Sequence, residues 1–359
     1  MGTADTPTKV RGQRRGSRGP TVADVARVAG VSPMTVSRVV NGDAKVMPAT
    51  RERVEAAIAQ LRYLPNLAAR SLAGGRQCRI ALLHSNPSAA YLSEFLVGCL
   101  DEASALDAQL IIEHCADGEP AAALVAKVTH HRVDAVLLPP PLSDDTELVN
   151  ALHAAGFPIA QVATGAPAAF ANSVSIDDEA AAYTLTKRLI ELGHTKIGFI
   201  AGAYNQTASA QRREGHHRGL REAGISIDPR YEANGDFTYR SGLVAARTLL
   251  DVDPRPTAIF ASNDDMAAAT IATAHRHGID VPGELAVCGF DDTASATMVW
   301  PELTTARQPV AEMARHATRL LVGSVTGPAA TLPRHVRLDF TLIIRDSDGP
   351  VRTRACRVI

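Results

Sequence analysis

The sequence predicts two folded parts of different class: a small all-α helix-turn-helix headpiece, then a larger α/β domain of two lobes on doubly wound parallel sheets. Three observations carry this expectation. At 359 residues the chain exceeds what one ordinary core organises. The net charge is only −1, yet residues 1–76 hold 13 Lys/Arg against 5 Asp/Glu, so a basic end is joined to an acidic remainder. A basic segment suits a polyanion, and an acidic one does not. Beyond Arg79, short apolar runs alternate with amphipathic stretches, the pattern of parallel strands covered on both faces by helices.

Composition narrows the class further. Residues 1–19 hold Lys9, Arg11, Arg14, Arg15 and Arg18 among Gly, Thr and Ser, with no apolar run to act as a signal-peptide core. They read as a disordered basic arm that either touches phosphates or is a solvated tail. No stretch approaches the roughly 18 consecutive apolar residues of a membrane span. The cysteines, Cys78, Cys99, Cys115, Cys288 and Cys356, are odd in number and never form a C-x-x-C pair. That argues against a disulfide framework or a zinc site, and a reducing cytoplasm fits.

The first helix starts at Thr21, a cap with Asp24 three residues on. Val22, Val25, Ala26 and Ala29 fall at the spacing of one buried stripe, and Gly30 ends it. Ser32 and Pro33 then supply an N-cap and an N1 proline for a second short helix, with Val36, Val39 and Val40 available for packing. A third helix is expected from about Thr50 to Leu61, burying Val54, Ala57, Ile58 and Leu61. Helix, glycine-containing turn and helix form the arrangement whose second helix enters the major groove of DNA. With its valines buried, that helix turns Pro33, Met34, Ser37, Arg38 and Asn41 outward. Arg38 is the best base reader, because a guanidinium can donate two hydrogen bonds to guanine, whereas Pro33 and Met34 read only shape or thymine methyls.

The continuous string TVADVARVAGVSPMTVSRVVNG, with TRERVEAAIAQLRYLPNLAARSLAG after it, strongly resembles the headpiece and hinge of the lactose-repressor (LacI/GalR) family from Thr21 to Gly74. Met47 departs from it, standing where the family usually places a Ser-like cap. The resemblance implies operator contacts from Thr21, Ser32, Pro33, Met34, Thr35, Ser37, Arg38 and Asn41. It also makes NLAARSLAG a hinge helix, paired across a homodimer in the minor groove, with Asn66 and Ala69 on the DNA and Leu72 as the apolar wedge. So short a segment is not a stable helix alone in water; it folds on DNA or serves as a plain linker. A homodimer on double-stranded DNA then implies an inverted-repeat operator.

In the larger domain the strands are read at RIALLHS, AQLIIEHC, DAVLLPP, PIAQVAT, KIGFIAG, AIFASND and LAVCGFDD. Several end in small polar residues, such as Ser85-Asn86, Ser262-Asn263-Asp264 and Asp291-Asp292, and ligands in such folds sit at the carboxyl ends of strands. Residues 79–347, above all IELGHTKIGFIAG, SAQRREG, AIFASNDDMA, GFDDT and WPELTT, resemble the periplasmic-binding-protein-like effector domain of the same family. The resemblance implies three chain crossings between lobes, near residues 176, 306 and 335. It places Tyr91, Arg212, Phe237, Asn263 and Asp291 in an effector cleft. Their chemistry agrees: a carboxylate accepts from neighbouring hydroxyls, Arg212 is a fixed fork of donors, and Phe237 and Tyr91 offer flat apolar faces. Such a set suits a carbohydrate better than a nucleobase. Ala163 and Thr164 stand where some sugar-sensing relatives carry an aspartate.

The expected organisation is an arm at 1–19, a headpiece at 20–65, a hinge at 66–76, an effector domain at 77–347 and a tail at 348–359. One lobe takes 77–176 and 306–335, the other 177–305 and 336–347. Neither G-x-G-x-x-G, G-x-x-x-x-G-K-[ST] nor G-x-S-x-G occurs, so no nucleotide cofactor or nucleophile elbow is implied. The pairs Asp177-Asp178, Asp264-Asp265 and Asp291-Asp292 are each expected to divide into one ligand residue and one helix cap. His130-His131 and His216-His217 lack metal-site spacing. The expected function is a cytoplasmic repressor without catalytic residues, metal or cofactor, induced by a sugar or sugar derivative. The alternatives are a regulator corepressed by a nucleobase-like ligand, and a solute-binding protein of the same fold.

Overall fold

A computed structural model describes residues 20–40, 46–61, 63, 77–86, 88–116, 118–327 and 332–351. The chain divides into two compact units, residues 1–76 and 77–359. In the first, α1 (Val22–Ala29) opens on a complete capping box between Thr21 and Asp24 and closes on Gly30 in the left-handed region, at φ 63°. The turn leads into α2 (Pro33–Val40), whose Val36 and Val39 are buried. The third helix, α3 (Pro48–Leu61), starts two residues before the expected Thr50. Met47 is exposed and its carbonyl accepts from Thr50 and Arg51, so it occupies the cap position without a capping side chain. Val54 and Ala57 are buried, Ile58 and Leu61 partly so, and Tyr63 closes the small core. From α3, Arg53 donates to the carbonyls of Ala29 (2.6 Å) and Gly30 (3.1 Å), satisfying the open end of α1.

The second unit carries two six-stranded sheets. The first lobe is built from β1 (Arg79–His84), α4 (Ala89–Ala105), β2 (Gln109–His114), α5 (Ala121–His130), β3 (Ala135–Leu138), α6 (Thr146–Ala154), β4 (Ile159–Val162) and β5 (Asn172–Ser175). The second takes α7 (Asp178–Glu191), β6 (Ile197–Ala201), α8 (Thr207–Glu222), β7 (Glu232–Asn234), α9 (Tyr239–Leu250), β8 (Ala258–Ala261), α10 (Asp264–Arg276), β9 (Ala286–Asp291), α11 (Ala294–Met298) and β10 (Thr304–Arg307). The chain then returns through α12 (Val310–Thr326), packed on α4 and on β3 to β5, and adds β11 (His335–Arg337) to the first sheet before β12 (Thr341–Ile343) joins the second. Strand orders are β11-β5-β4-β3-β1-β2 and β12-β10-β9-β8-β6-β7. All neighbours are parallel except β12 on β10.

The crossings differ from expectation in two places. The first falls between β5 and α7, at 176–177. The second lies beyond β10, at 308–309 rather than 306, because Ala306 pairs with Phe290 inside the second sheet. The third lies at 338–340 rather than 335, because His335 pairs with Ser173 in the first sheet. The tail also begins later than residue 348: the buried Asp348 accepts from Arg188 and Thr304, and Val351 donates to Leu192.

Candidate ligand cleft and nucleic-acid interface

The cleft is lined by residues at or just beyond the carboxyl ends of strands from both lobes. Asn86, Ser88 and Tyr91 come from the turn after β1 and the start of α4, Pro140 stands after β3, and Ala163 after β4. From the other lobe come Gln206 and Ala208 after β6, Arg212 on α8, Phe237 after β7, Asn263 after β8 and Asp291 at the end of β9, while Gln308 lies at the second crossing. They surround about 380 Å³ of space open to solvent. All five sequence-predicted cleft residues, Tyr91, Arg212, Phe237, Asn263 and Asp291, line this one space. Three lining residues that are not glycine have positive φ: Ala163 (55°), Phe237 (69°) and Asp291 (104°). Backbone held in such sparsely populated regions gathers at functional sites because the surrounding structure must enforce it. Gly202 shows one means: a Cβ there would stand 2.0 Å from the Phe237 ring, so only bare backbone admits that ring.

Arg212 is the electrostatic centre. Its Nε donates to Asp178 at 2.8 Å, Nη1 donates to the Ser262 carbonyl at 2.6 Å and stands 3.6 Å from Asp291, and its plane covers the Phe290 ring at 3.7 Å. Nη2 has no partner among the described residues. Burial raises the Asp178 carboxyl above its usual range against the pull of Arg212. Burial likewise pushes Asp291 up to about 7, although Arg212 and a 2.6 Å hydrogen bond from Gln308 draw it down. Asp264, only 1% exposed, is also driven up by burial; it accepts from Thr293 and Thr305. Asp178 and Asp291 share one guanidinium, so the cleft floor has carboxylate to spare.

The remaining polar groups divide by how far they are already satisfied. The Tyr91 hydroxyl and the Gln308 Oε1 are buried without a partner among the described residues. Burial raises the Tyr91 hydroxyl far above its ordinary range, which keeps it a donor. Asn263 is committed instead: it caps α10 at Met266 and donates to the Phe237 carbonyl. Its first duty is to hold Phe237, which the resemblance alone did not indicate. Gln308 was missed by sequence reasoning; it stands just past a strand too polar to be read as one. Two of the three acid pairs differ from expectation. Asp177 caps α7 as expected, but Asn263 rather than Asp264 caps α10, and neither Asp291 nor Asp292 caps α11. Asp292 is held by Arg307 and Arg345. Of the histidine pairs, His216 is buried against Phe199 and pushed down to about 3 by burial, while His217 bonds Glu232.

In the first unit, Pro33, Met34 and Arg38 are exposed on α2, Met34 to 64%. Ser32 caps this helix by accepting from Thr35 N–H at 3.1 Å, and its hydroxyl meets that of Thr35 at 2.9 Å. Ser37 is half-buried on the same helix, and Thr21 is exposed at the α1 cap. Asn41, Asn66, Ala69 and Leu72 lie outside the described residues, as do the arm, the hinge at 66–76 and residues 352–359.

Residues 21–66 match the family of bacterial regulatory proteins, lacI family, and residues 186–347 match the periplasmic binding protein-like domain. The HTH-type transcriptional regulator CelR of Thermobifida fusca is 36% identical over 337 residues, covering 92% of this chain and 98% of that protein. Among solved structures, a transcriptional regulator CelR–cellobiose complex aligns with a TM-score of 0.71 at 35% identity, covering 91% of this chain and 99% of that one. The Lac repressor dimer bound to operator and the anti-inducer ONPF aligns with a TM-score of 0.76 at 28% identity, covering 92% and 100%. A headpiece with an exposed arginine on its second helix, a two-lobed sheet domain with a polar cleft, and relatives matched along nearly their whole length agree: this chain belongs to the LacI family of bacterial transcriptional regulators.

Proposed function

We propose that this protein is a cytoplasmic repressor that binds an inverted-repeat operator as a homodimer and is released from it by a neutral sugar held in the cleft. One observation carries the choice of ligand. Arg212 is the one cation lining the cleft among the described residues, and Asp178 and Asp291 already flank it. A phosphate entering there would meet carboxylates with no spare positive charge, whereas sugar hydroxyls would find acceptors in Asp291 and Gln308, donors in Arg212 and Tyr91, and a flat face in Phe237. The cellobiose held by the related CelR supports the same class. In this reading Thr21, Ser32, Pro33, Met34, Thr35, Ser37, Arg38 and Asn41 face the operator, and Asn66, Ala69 and Leu72 form the hinge contact. The cleft binds its ligand and does not transform it.

A thermal-shift screen of cellobiose, glucose, glucose 6-phosphate and hypoxanthine tests this. A ligand at 100 times its dissociation constant stabilises by about 2.7 kcal/mol. A neutral sugar is expected to shift the transition, and cellobiose is expected to be recovered intact. A shift with the phosphate or the base alone would overturn the neutral-sugar reading.

A further inference from the structure

The cleft has two rims, and at each a carboxylate of one lobe is bridged by hydroxyl or amide donors of the other. On one rim, Asp144 in the 3-10 turn Leu142–Asp144 of the first lobe accepts from Thr207, the first residue of α8 in the second. The Thr207 N–H donates at 2.8 Å, and its hydroxyl lies 2.9 and 3.0 Å from the two carboxylate oxygens. Two first-lobe groups complete the joint: the Thr164 hydroxyl donates to Asp144 at 2.6 Å, and the Gly165 N–H donates to the Thr207 hydroxyl at 2.6 Å. On the other rim, Ser88 at the cap of α4 donates to Asp265 of α10 at 2.8 Å, and Ser295 holds the second Asp265 oxygen at 2.6 Å. Asp144, Thr207 and Asp265 do not line the cleft.

We propose that Asp144–Thr207 and Ser88–Asp265 are two interlobe clasps that set how closed the cleft is, so that Asp144, Thr207 and Asp265 set effector affinity without touching the effector. Among the described residues the lobes are joined by three crossings that lie outside the strands, so closure is an equilibrium that a few bonds at the rims can bias. Where only the closed form binds well, the apparent dissociation constant is the intrinsic one divided by the closed fraction. Loss of a clasp therefore weakens every ligand by one common factor. Loss of a lining residue changes the ranking of ligands. The inference rests on the cleft being the effector site, but closure itself can be measured without any ligand.

The experiment is hydrogen–deuterium exchange on the full chain, comparing the native protein with Asp144→Ala, the milder Thr207→Val, and Asp265→Ala. Faster exchange at the mutated rim is trivial; the informative signal is the opposite rim. Asp144→Ala and Thr207→Val are expected to speed exchange across residues 88–95, where the Tyr91 N–H is held by the Ser88 hydroxyl, and Asp265→Ala across 163–168 and 204–210. Amides of the central strands β1 and β8 serve as the folding control and are expected to stay protected. Calorimetric titration with cellobiose and glucose is then expected to show the same 3- to 10-fold weakening for both. Exchange confined to the mutated rim would overturn the clasps. Cellobiose and glucose both failing to bind the native protein would instead refute the sugar reading, with the exchange result still deciding the clasps.

Discussion

Asp291 illustrates how burial, rather than residue type, sets the behaviour of a side chain. Its carboxyl lies between Arg212, Gln308 and other acids, and burial outweighs both stabilising partners, raising it to about 7. A carboxyl raised in the folded state contributes stability that is fully present below its ordinary value of about 4 and is lost as pH rises through about 7. Thermal melts of native protein and Asp291→Asn across this range are expected to diverge, with the native protein losing ground to the variant as pH rises. An identical pH slope in both would show that Asp291 does not titrate there. On the proposed sugar reading the same proton governs binding, because sugar hydroxyls would donate to the ionised form: affinity is then expected to tighten from pH 6 to 8 in the native protein and stay flat in Asp291→Asn. Arg38 is the corresponding single residue of the headpiece. It is exposed on α2, and bidentate donation to guanine gives about 1–3 kcal/mol of discrimination. Arg38→Ala is therefore expected to relax base preference at one symmetric pair of operator positions, measured as binding to a set of operator variants; equal losses on operator and random DNA would make it a phosphate contact.

At the scale of elements, the strands read correctly from sequence were those with apolar runs, most of them buried on both faces, such as Ile80 to Leu83 and Ala258 to Ala261, with the half-exposed edge strand β2 as the exception. Those missed are short, and most are polar: β5 reads NSVS, β7 EAN, β10 TTAR, β11 HVR and β12 TLI. Several of their polar side chains are satisfied by residues far along the chain. Asn172 meets Ser324 and Arg334, Ser173 meets His335, Thr304 meets Asp348 and Thr305 meets Asp264. Nothing local signals such partners, so β10 is invisible to periodicity although Thr304 and Thr305 are fully buried between two strands. The helix termini were legible because caps are local, as Thr21 with Asp24 and Gly30 show. Asn263 and Asp291 were legible from polar strand ends and the other predicted cleft residues through family resemblance, whereas Gln308 escaped because it stands just past an unread strand. Thr305→Val tests this account. It preserves shape but removes a donor from a buried carboxylate, and one unsatisfied buried group costs about 1–3 kcal/mol. Denaturant unfolding is expected to show a loss of that order, larger where Asp264 is ionised than where it is protonated, because burial and neighbouring Asp291 already raise Asp264 and the lost bond favours its charged form. A neutral substitution would mean that Asp264 stays protonated throughout.

For the whole molecule, the proposed function requires that a sugar in the cleft alter operator binding. A ligand shifts an equilibrium only by its differential affinity for the two states, and the effect is reciprocal: a sugar that weakens DNA binding is itself bound more weakly on DNA. By its length the NLAARSLAG segment, which lies outside the described residues, is expected not to be a stable helix alone, so that little free energy would be needed to form or lose one. If closure of the lobes is incompatible with pairing two such segments across an operator, ligand is expected to lower operator affinity by about 5- to 150-fold. Arg212→Ala and Asp291→Ala should leave DNA affinity near native yet abolish the response, because both lie in the cleft and neither belongs to the headpiece unit. Leu72→Ala should do the reverse, weakening the operator complex while sugar affinity off DNA is kept. The decisive measurement is an operator titration with and without cellobiose, paired with a cellobiose titration with and without operator. Equal factors in the two directions would establish the coupling and give its size. Tighter operator binding in the presence of ligand would make the protein corepressed, reversing the sign of regulation while leaving cleft and headpiece as described.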